Sequence, residues 1–188
     1  GDRVVYRYFN PCGRCVACLR GEDAACPANP RFIHPAEDPP HFTGAYADYY
    51  YLRPDQTVFK VPDDLTDQAV APANCALSQV IYGLQKVGLG FGETVVIQGA
   101  GGLGVNATAV AKEMGAHKVI VIDGITERLE LARAFGADEL IHMKEYDTPK
   151  DRIKRVRELT DNRGAEVVVE VAGLPGVMAE GLAMPSSP

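Results

Sequence analysis

The chain has 188 residues, of which 46% are hydrophobic, and its formal net charge is -6. That length can bury one full core, or one core with a smaller lobe. The negative charge argues against nucleic acid or an anionic membrane as a partner, because both bind basic faces. No run approaches the roughly 20 apolar residues needed to span a bilayer, and the start lacks a signal-peptide pattern. We therefore predict a cytoplasmic protein that binds a small molecule.

The sequence predicts two units that differ in their pattern of apolar and polar residues. Residues 1–76 are typical of loop-rich β structure, with strand-like runs at 46–52 and 58–61. Residues 77–188 alternate apolar runs with helical stretches, which is typical of a doubly wound parallel α/β sheet. In this unit we expect strands at 94–98, 118–123, 139–142 and 166–171, three intervening helices, Thr126 as a helix N-cap and a solvent-facing charge run at 150–155.

Four of the five cysteines have the spacing C-x2-C-x2-C-x7-C, at Cys12, Cys15, Cys18 and Cys26. Thiolates at such a spacing can converge on one tetrahedral zinc ion at about 2.3 Å. Four sulfurs close the coordination shell, so we expect a structural metal rather than a catalytic one. The alternative is an iron–sulfur cluster, because C-x2-C-x2-C also opens the ferredoxin pattern, although its last gap is shorter.

Residues 99–104 match G-x-G-x-x-G directly after a predicted strand and at the start of a predicted helix. In this motif Gly99 makes the tight turn, Gly101 lets the backbone approach a pyrophosphate, and Gly104 lets the helix pack on the strand. Gly102 and Leu103 then open the helix, whose N-terminus faces the phosphate charge.

The glycine motif also predicts an acidic residue about twenty positions further on, and Asp123 stands there at the end of the next strand. Its carboxylate would accept hydrogen bonds from ribose hydroxyls and would repel the 2′-phosphate of NADP. The sequence therefore predicts NAD binding. The alternative is that Asp123 is an ordinary polar residue at a strand end.

The segment Gly1-Asp2-Arg3-Val4, the cysteine lobe, residues 44–49 and the glycine loop follow the order seen in zinc-dependent medium-chain dehydrogenases, the alcohol dehydrogenase family. The chain resembles an internal piece of that family over nearly its whole length. The resemblance implies part of a GroES-like catalytic domain at 1–76 and the N-terminal part of an NAD-binding Rossmann domain at 77–188. It also implies a homo-oligomeric oxidoreductase that acts on a small-molecule alcohol, polyol or carbonyl compound at a second, catalytic zinc.

Two further residues take their roles from this resemblance alone. Cys75, in Pro-Ala-Asn-Cys-Ala, corresponds to the third protein ligand of the catalytic zinc, and the alternative is a buried structural thiol. Arg128, five residues after Asp123, matches a basic residue that helps hold the adenosine ribose, and the alternative is a solvated helix charge.

Other parts of the family pattern have no match in this sequence. The first catalytic-zinc ligand, the Gly-His-Glu segment and the proton relay would precede Gly1, and the strands that seat nicotinamide would follow Pro188. We therefore expect this chain alone to hold structural zinc, to bind NAD weakly or not at all, and to show no turnover. A second hypothesis is a non-catalytic, zinc-stabilised NAD-binding protein of the same fold.

Overall fold

The computed structural model describes residues 1–8, 10–28, 37–39, 41–42, 44–54 and 56–186. The chain divides into two compact units, Gly1–Asn74 and Cys75–Pro188. This division falls two residues before the predicted domain boundary, so Cys75 belongs to the second unit. No helix in the described ranges is long and apolar enough to span a bilayer.

The first unit contains little regular structure. Strands β1 (Val4–Tyr6) and β2 (Val58–Lys60) pair antiparallel, and the other elements are α1 (Val16–Leu19), a 3-10 turn (Asp23–Ala25) and α2 (Asp67–Val70). Among the described residues of this unit, only Cys26, Gln56 and Val61 are buried. A unit with so small an apolar core requires another source of stability.

The strand predicted at 46–52 is absent. Tyr46 and Tyr49 are largely exposed, and Tyr50 instead stacks its ring on Tyr6 with 4.3 Å between ring centroids. Alternating polarity makes a strand only when a partner strand supplies repeated backbone hydrogen bonds. Among the described residues, the backbone hydrogen bond of this segment is the one that the Tyr51 N–H donates to the carbonyl of Phe42, at 2.8 Å.

The second unit is built on a parallel sheet in the order β5-β4-β3-β6. Its strands are β3 (Thr94–Gln98), β4 (Lys118–Asp123), β5 (Glu139–His142) and β6 (Val167–Glu170). A π-helical turn (Ala73–Leu77) spans the start of this unit, and α3 (Ser78–Lys86) leads into the sheet. Helices α4 (Gly102–Glu113), α5 (Thr126–Ala134) and α6 (Pro149–Leu159) connect successive strands, and α7 (Val177–Gly181) follows β6. This arrangement confirms the predicted doubly wound, Rossmann-type sheet.

Apolar side chains cover both faces of the sheet. On β3, Val95 and Ile97 belong to the cluster that includes residues of α3, α4 and α5, whereas Val96 packs in a second cluster with Val156 of α6. Strands β3 and β4 are buried almost throughout because helices lie against both of their faces. Their continuous Val and Ile runs are the sequence signature of that environment.

Two local predictions in this unit were wrong. Ile125, not Thr126, is the N-cap of α5, and the Thr126 hydroxyl oxygen lies 3.1 Å from Nε2 of His142. The predicted solvent-facing charge run on α6 also contains a buried residue, Arg152. Arg152 lies one helical turn before the fully buried Val156, so both side chains are on the inner face of the helix.

Candidate cofactor and metal sites

Packing explains two of the three motif glycines. Gly99 has a φ of +102°, and a Cβ there would lie 2.9 Å from the backbone of Ala172 beyond β6. A Cβ on Gly104 would lie 1.8 Å from the carbonyl oxygen of Gly99, so α4 can approach the end of β3 only with glycine at this position. A Cβ on Gly101 would meet nothing within 4 Å, so space is open on that side of the turn.

The N-terminus of α4 opens directly after this turn. Gly101 is the N-cap, and Gly102 and Leu103 are the first helical residues. The first N–H groups of a helix have no partner within the helix and carry partial positive charge. This end of α4 is therefore suited to hold a phosphate group.

Asp123 joins the glycine turn to the end of β4. The carboxylate is buried, its Oδ2 accepts a hydrogen bond from the Ala100 N–H at 2.7 Å, and its Oδ1 accepts one from the Ile125 N–H at 2.9 Å. A carboxylate offers about four lone-pair sites, so two backbone donors leave capacity for ligand hydroxyls. Asp123 thus holds the turn and can also bind a ribose.

A cavity of about 360 Å³ lies at the carboxyl ends of the strands. It is at the switch point of the sheet, where the chain has added β4 and β5 on one side of β3 and then places β6 on the other. Ligands of open α/β sheets bind at such points. Of the predicted cofactor-binding residues, Gly99, Gly101, Asp123 and Arg128 line the cavity. Gly102, Leu103 and Gly104 contribute through the helix and are not part of its lining.

Sequence reasoning missed a polar part of the cavity wall. Arg152 and Glu180 line the cavity and form a buried ion pair, with 2.7 Å between Nη2 and Oε2. The hydrogen bonds that Arg152 donates to the carboxylate of Glu180 raise the pKa of Arg152. Nearby, the buried Oε1 of Gln98 has no hydrogen-bond partner among the described residues. Arg152 and Val156 are one helical turn apart in the sequence, which indicates that Arg152 faces inward as Val156 does. No local sequence pattern indicates that Glu180 is buried.

The four clustered cysteines come together in the first unit. The sulfur atoms of Cys12, Cys15, Cys18 and Cys26 all lie within 4.8 Å of one another. The Cys15 sulfur lies 3.5 Å from that of Cys18 and 3.8 Å from that of Cys26. Zn–S bonds of about 2.3 Å in a tetrahedron require sulfurs about 3.8 Å apart, so the donor set fits zinc.

The surroundings of Cys12, Cys18 and Cys26 shift the pKa values of their thiols in different directions. Backbone N–H groups of Arg14 and Cys15 lower the pKa of the Cys12 thiol to about 6. Desolvation raises the pKa of Cys18 to about 12, whereas a hydrogen bond from the Cys12 N–H lowers the pKa of Cys26. A divalent cation would hold all four as thiolates, because its charge offsets their mutual repulsion.

Cys75 lies apart from this cluster, in the π-helical turn that precedes α3. Its side chain is exposed, which contradicts the alternative of a buried structural thiol. Its sulfur accepts a hydrogen bond from Gln79 at 3.5 Å, and its carbonyl accepts one from the hydroxyl of Ser78 at 3.1 Å. Wide helical turns of this kind often occur at functional sites. Its role as a zinc ligand stays a prediction.

Comparisons with known proteins agree with this geometry. Residues 102–186 match the sequence profile of the family described as zinc-binding dehydrogenase. The chain is 36% identical over 183 residues to 5-exo-hydroxycamphor dehydrogenase of Pseudomonas putida, covering 97% of the chain and 50% of that protein. It is 34% identical to sorbitol dehydrogenase of Bacillus subtilis, covering 97% of the chain and 49% of that protein.

A solved structure extends the likeness to the backbone. An alcohol dehydrogenase from Thermotoga maritima superposes with a TM-score of 0.88 at 31% identity, covering 99% of this chain and 52% of that one. In sequence and in backbone, the chain is similar to the zinc-dependent medium-chain alcohol dehydrogenases. It spans about half the length of the relatives it matches. Zinc and NAD are the cofactors expected of this family, and the roles assigned to individual residues stay predictions.

Proposed function

We propose that this chain is part of an NAD-dependent, zinc-containing dehydrogenase that transfers hydride between an alcohol or polyol and NAD. The observation that carries the proposal is the cavity at the switch point of the sheet, where Gly99, Gly101 and Asp123 line one space. The names of the relatives, which act on a hydroxycamphor and on sorbitol, support alcohols and polyols as the substrate class.

Within this cavity each group has a separate task. The backbone N–H groups of Gly102 and Leu103 would donate to the pyrophosphate, because they open α4. Asp123 would accept hydrogen bonds from the ribose hydroxyls with its remaining lone pairs. Arg128 lines the same cavity and would contribute positive charge beside the ribose. The pyrophosphate would be held by two backbone groups, so the geometry of that contact depends on the packing of the glycines.

Asp123 also supports NAD over NADP as the coenzyme. A 2′-phosphate would bring a second negative charge next to a buried carboxylate whose described hydrogen-bond donors, the N–H groups of Ala100 and Ile125, are neutral. Burial strengthens this repulsion because few water molecules screen it. The residue that follows Asp123 is Gly124, so no arginine stands there to bind the phosphate.

The two proposed metal positions have different tasks. An ion bound by Cys12, Cys15, Cys18 and Cys26 would stabilise a unit with few buried residues and would leave no position for substrate. Cys75 would supply one thiolate to a catalytic zinc, which when bound polarises the oxygen of the substrate. The exposure of Cys75 leaves its sulfur accessible for this task.

An activity assay tests the proposed function. We would express the longest reading frame that contains this chain and follow coenzyme reduction with a panel of secondary alcohols and polyols, using NAD and NADP in parallel. We expect turnover with NAD, and a loss of at least about a hundredfold in the Cys75→Ser variant with coenzyme affinity retained. Lys86→Ala, an exposed change on α3, is the control. A protein that binds NAD but oxidises none of the alcohols would support a non-catalytic role instead.

Metal analysis of the 188-residue chain tests the cysteine site. We expect a colourless protein with close to one zinc per chain, and Cys18→Ser should abolish the binding whereas Cys75→Ser should leave it intact. A coloured protein that contains iron and acid-labile sulfide would contradict the zinc assignment.

A further inference from the structure

The ion pair between Arg152 and Glu180 differs from the other ion pairs of the described residues. Its side chains are 5% and 4% exposed, whereas every other ion pair among the described residues has both partners at least 28% exposed. Burying an ion pair removes two charges from water, and well-packed apolar residues in the same place often stabilise a protein as much or more. Stability alone is therefore a weak explanation for a pair at this position.

The hydrogen bonds of Arg152 connect three parts of the second unit. Its Nε donates to Oε1 of Glu180 at 2.8 Å and its Nη2 donates to Oε2 at 2.7 Å, so the contact is bidentate. Its Nη1 donates to the carbonyls of Tyr146 and Asp147, at 2.8 and 3.0 Å. The planar guanidinium thus fixes α7 in position and orientation relative to α6 and to the segment after β5.

Helix α7 is short, and the contact with Arg152 is one of the tertiary contacts that fix its position, together with the packing of Gly181 against Gln98 and Val168. It has only five residues, it begins after Gly176 in a left-handed conformation, and its outer side chains Met178 and Leu182 are largely exposed. So short a helix has little stability of its own and takes its position from tertiary contacts. On its inner side, Val177 and Glu180 form part of the cavity wall.

We propose that the Arg152–Glu180 pair is a positioning device for the coenzyme: it holds α7 at the distance from the glycine turn and Asp123 that the adenosine end of the dinucleotide requires. This inference rests on the proposed NAD-binding function and extends it to two residues outside the glycine motif. Neither residue touches the reacting atoms. They affect coenzyme binding by setting the width of the cavity.

The test separates affinity from stability. In the 188-residue chain, Arg152→Met is combined with Glu180→Leu, which removes both charges and keeps similar volume. Binding of ADP-ribose is followed by NMR shift titration, which also detects weak binding, and thermal unfolding is measured on the same samples. We expect an unfolding midpoint equal to or above that of the parent, with affinity for ADP-ribose at least about tenfold weaker. A purely structural role cannot produce that combination.

The matched control removes an exposed pair from the same helix. Lys154→Met combined with Glu158→Leu changes charges that lie in solvent, and it should alter neither property. If the Arg152/Glu180 double variant does not fold, Glu180→Gln retains the shape of the side chain and should still weaken ADP-ribose binding. A folded double variant, or a folded Glu180→Gln variant, that binds ADP-ribose as tightly as the parent overturns the inference. If the parent chain does not bind ADP-ribose, the same variants are compared in the longest reading frame that contains it, where absence of binding would contradict the proposed coenzyme site itself.

Discussion

The glycines of the glycine turn, residues 99–104, differ in what each contributes to the stability of the fold. Gly104→Ala would place a methyl group 1.8 Å from the Gly99 carbonyl oxygen, so α4 has to move away from β3. We expect a loss of about 2–4 kcal/mol in the free energy of unfolding, measured by urea denaturation. Gly102→Ala, two residues away on the same helix, meets nothing within 4 Å and should be neutral or stabilising by up to about 1 kcal/mol. Equal effects of the two substitutions would contradict the proposed packing role.

Asp123 is expected to contribute to stability as well as to coenzyme binding. Asp123→Ala removes the acceptor of the N–H groups of Ala100 and Ile125, the first of which belongs to a buried residue. We expect a loss of about 2 kcal/mol in the free energy of unfolding, because a backbone donor is left without a partner. Glu127→Ala, an exposed change in the first turn of α5, is the control for urea denaturation. An unchanged midpoint for Asp123→Ala would show that water replaces the carboxylate.

For single residues, the sequence predicts the positions of the motif glycines and of Asp123 better than it predicts which side chains of a charged helix are buried. The positions of Gly99, Gly104 and Asp123 follow from a motif whose geometry is local to one turn. Arg152 was predicted to face solvent because the neighbouring residues of α6 are charged, yet it is buried. Its partner Glu180 lies 28 residues further on, and only the folded chain brings the two together.

Among the elements, the cysteine lobe should show a dependence on pH that can be measured through proton release. The pKa of Cys12 is lowered to about 6. Above that pH its thiol has already lost its proton, and below it zinc has to displace one. We expect zinc binding to release about one more proton at pH 5 than at pH 7.

Calorimetry in two buffers with different ionisation enthalpies measures this release. Cys75→Ala is the matched control, since its sulfur lies outside the cluster, and it should show the same increase. A release that does not depend on pH over this range would contradict the lowered pKa of Cys12. It would also indicate that the metal-free lobe has a different hydrogen-bond arrangement.

Elements with buried apolar runs were predicted to within one residue, whereas in the first unit β2 ends one residue before the end of the predicted run at 58–61 and the run at 46–52 is not a strand. The bounds of β3, β4 and β5 agree with the prediction, and β6 is one residue shorter at each end. Strands β3, β4 and β6 each contain their own run of Val or Ile residues, and the apolar residues of β5 are Leu140 and Ile141. The segment 46–52 has a strand-like alternation, but a strand also requires a partner, and its sequence does not encode one.

For the whole molecule, the contrast in core size predicts unequal responses to loss of metal. The first unit has three buried residues in its described part, whereas the second has two apolar clusters on opposite faces of a sheet. We expect a strong zinc chelator to abolish amide protection in β1 and β2 and to leave β3 and β4 protected, as measured by hydrogen exchange. Loss of protection in both units at the same chelator concentration would contradict independent stability of the second unit.

The broad architecture can be predicted from the sequence because the pattern of apolar and polar residues in a segment reflects whether that segment is buried. Continuous apolar runs that alternate with helices specify a parallel sheet covered on both faces. The composition of the first unit predicts loops and a metal centre, but not the paths of those loops. Substrate choice depends on such paths, so the proposed substrate class, alcohols and polyols, rests on the names of the relatives.

The two roles of Asp123, the observed contacts with the glycine turn and the proposed binding of the ribose, have a consequence for how coenzyme preference can change during evolution. A substitution that removes its negative charge to admit NADP also removes the acceptor for the Ala100 and Ile125 N–H groups. A lineage that switches coenzyme therefore passes through a less stable protein unless a neutral acceptor such as asparagine or serine replaces the carboxylate, or a stabilising change comes first. In this fold, selection for a new coenzyme and selection for stability act on the same side chain.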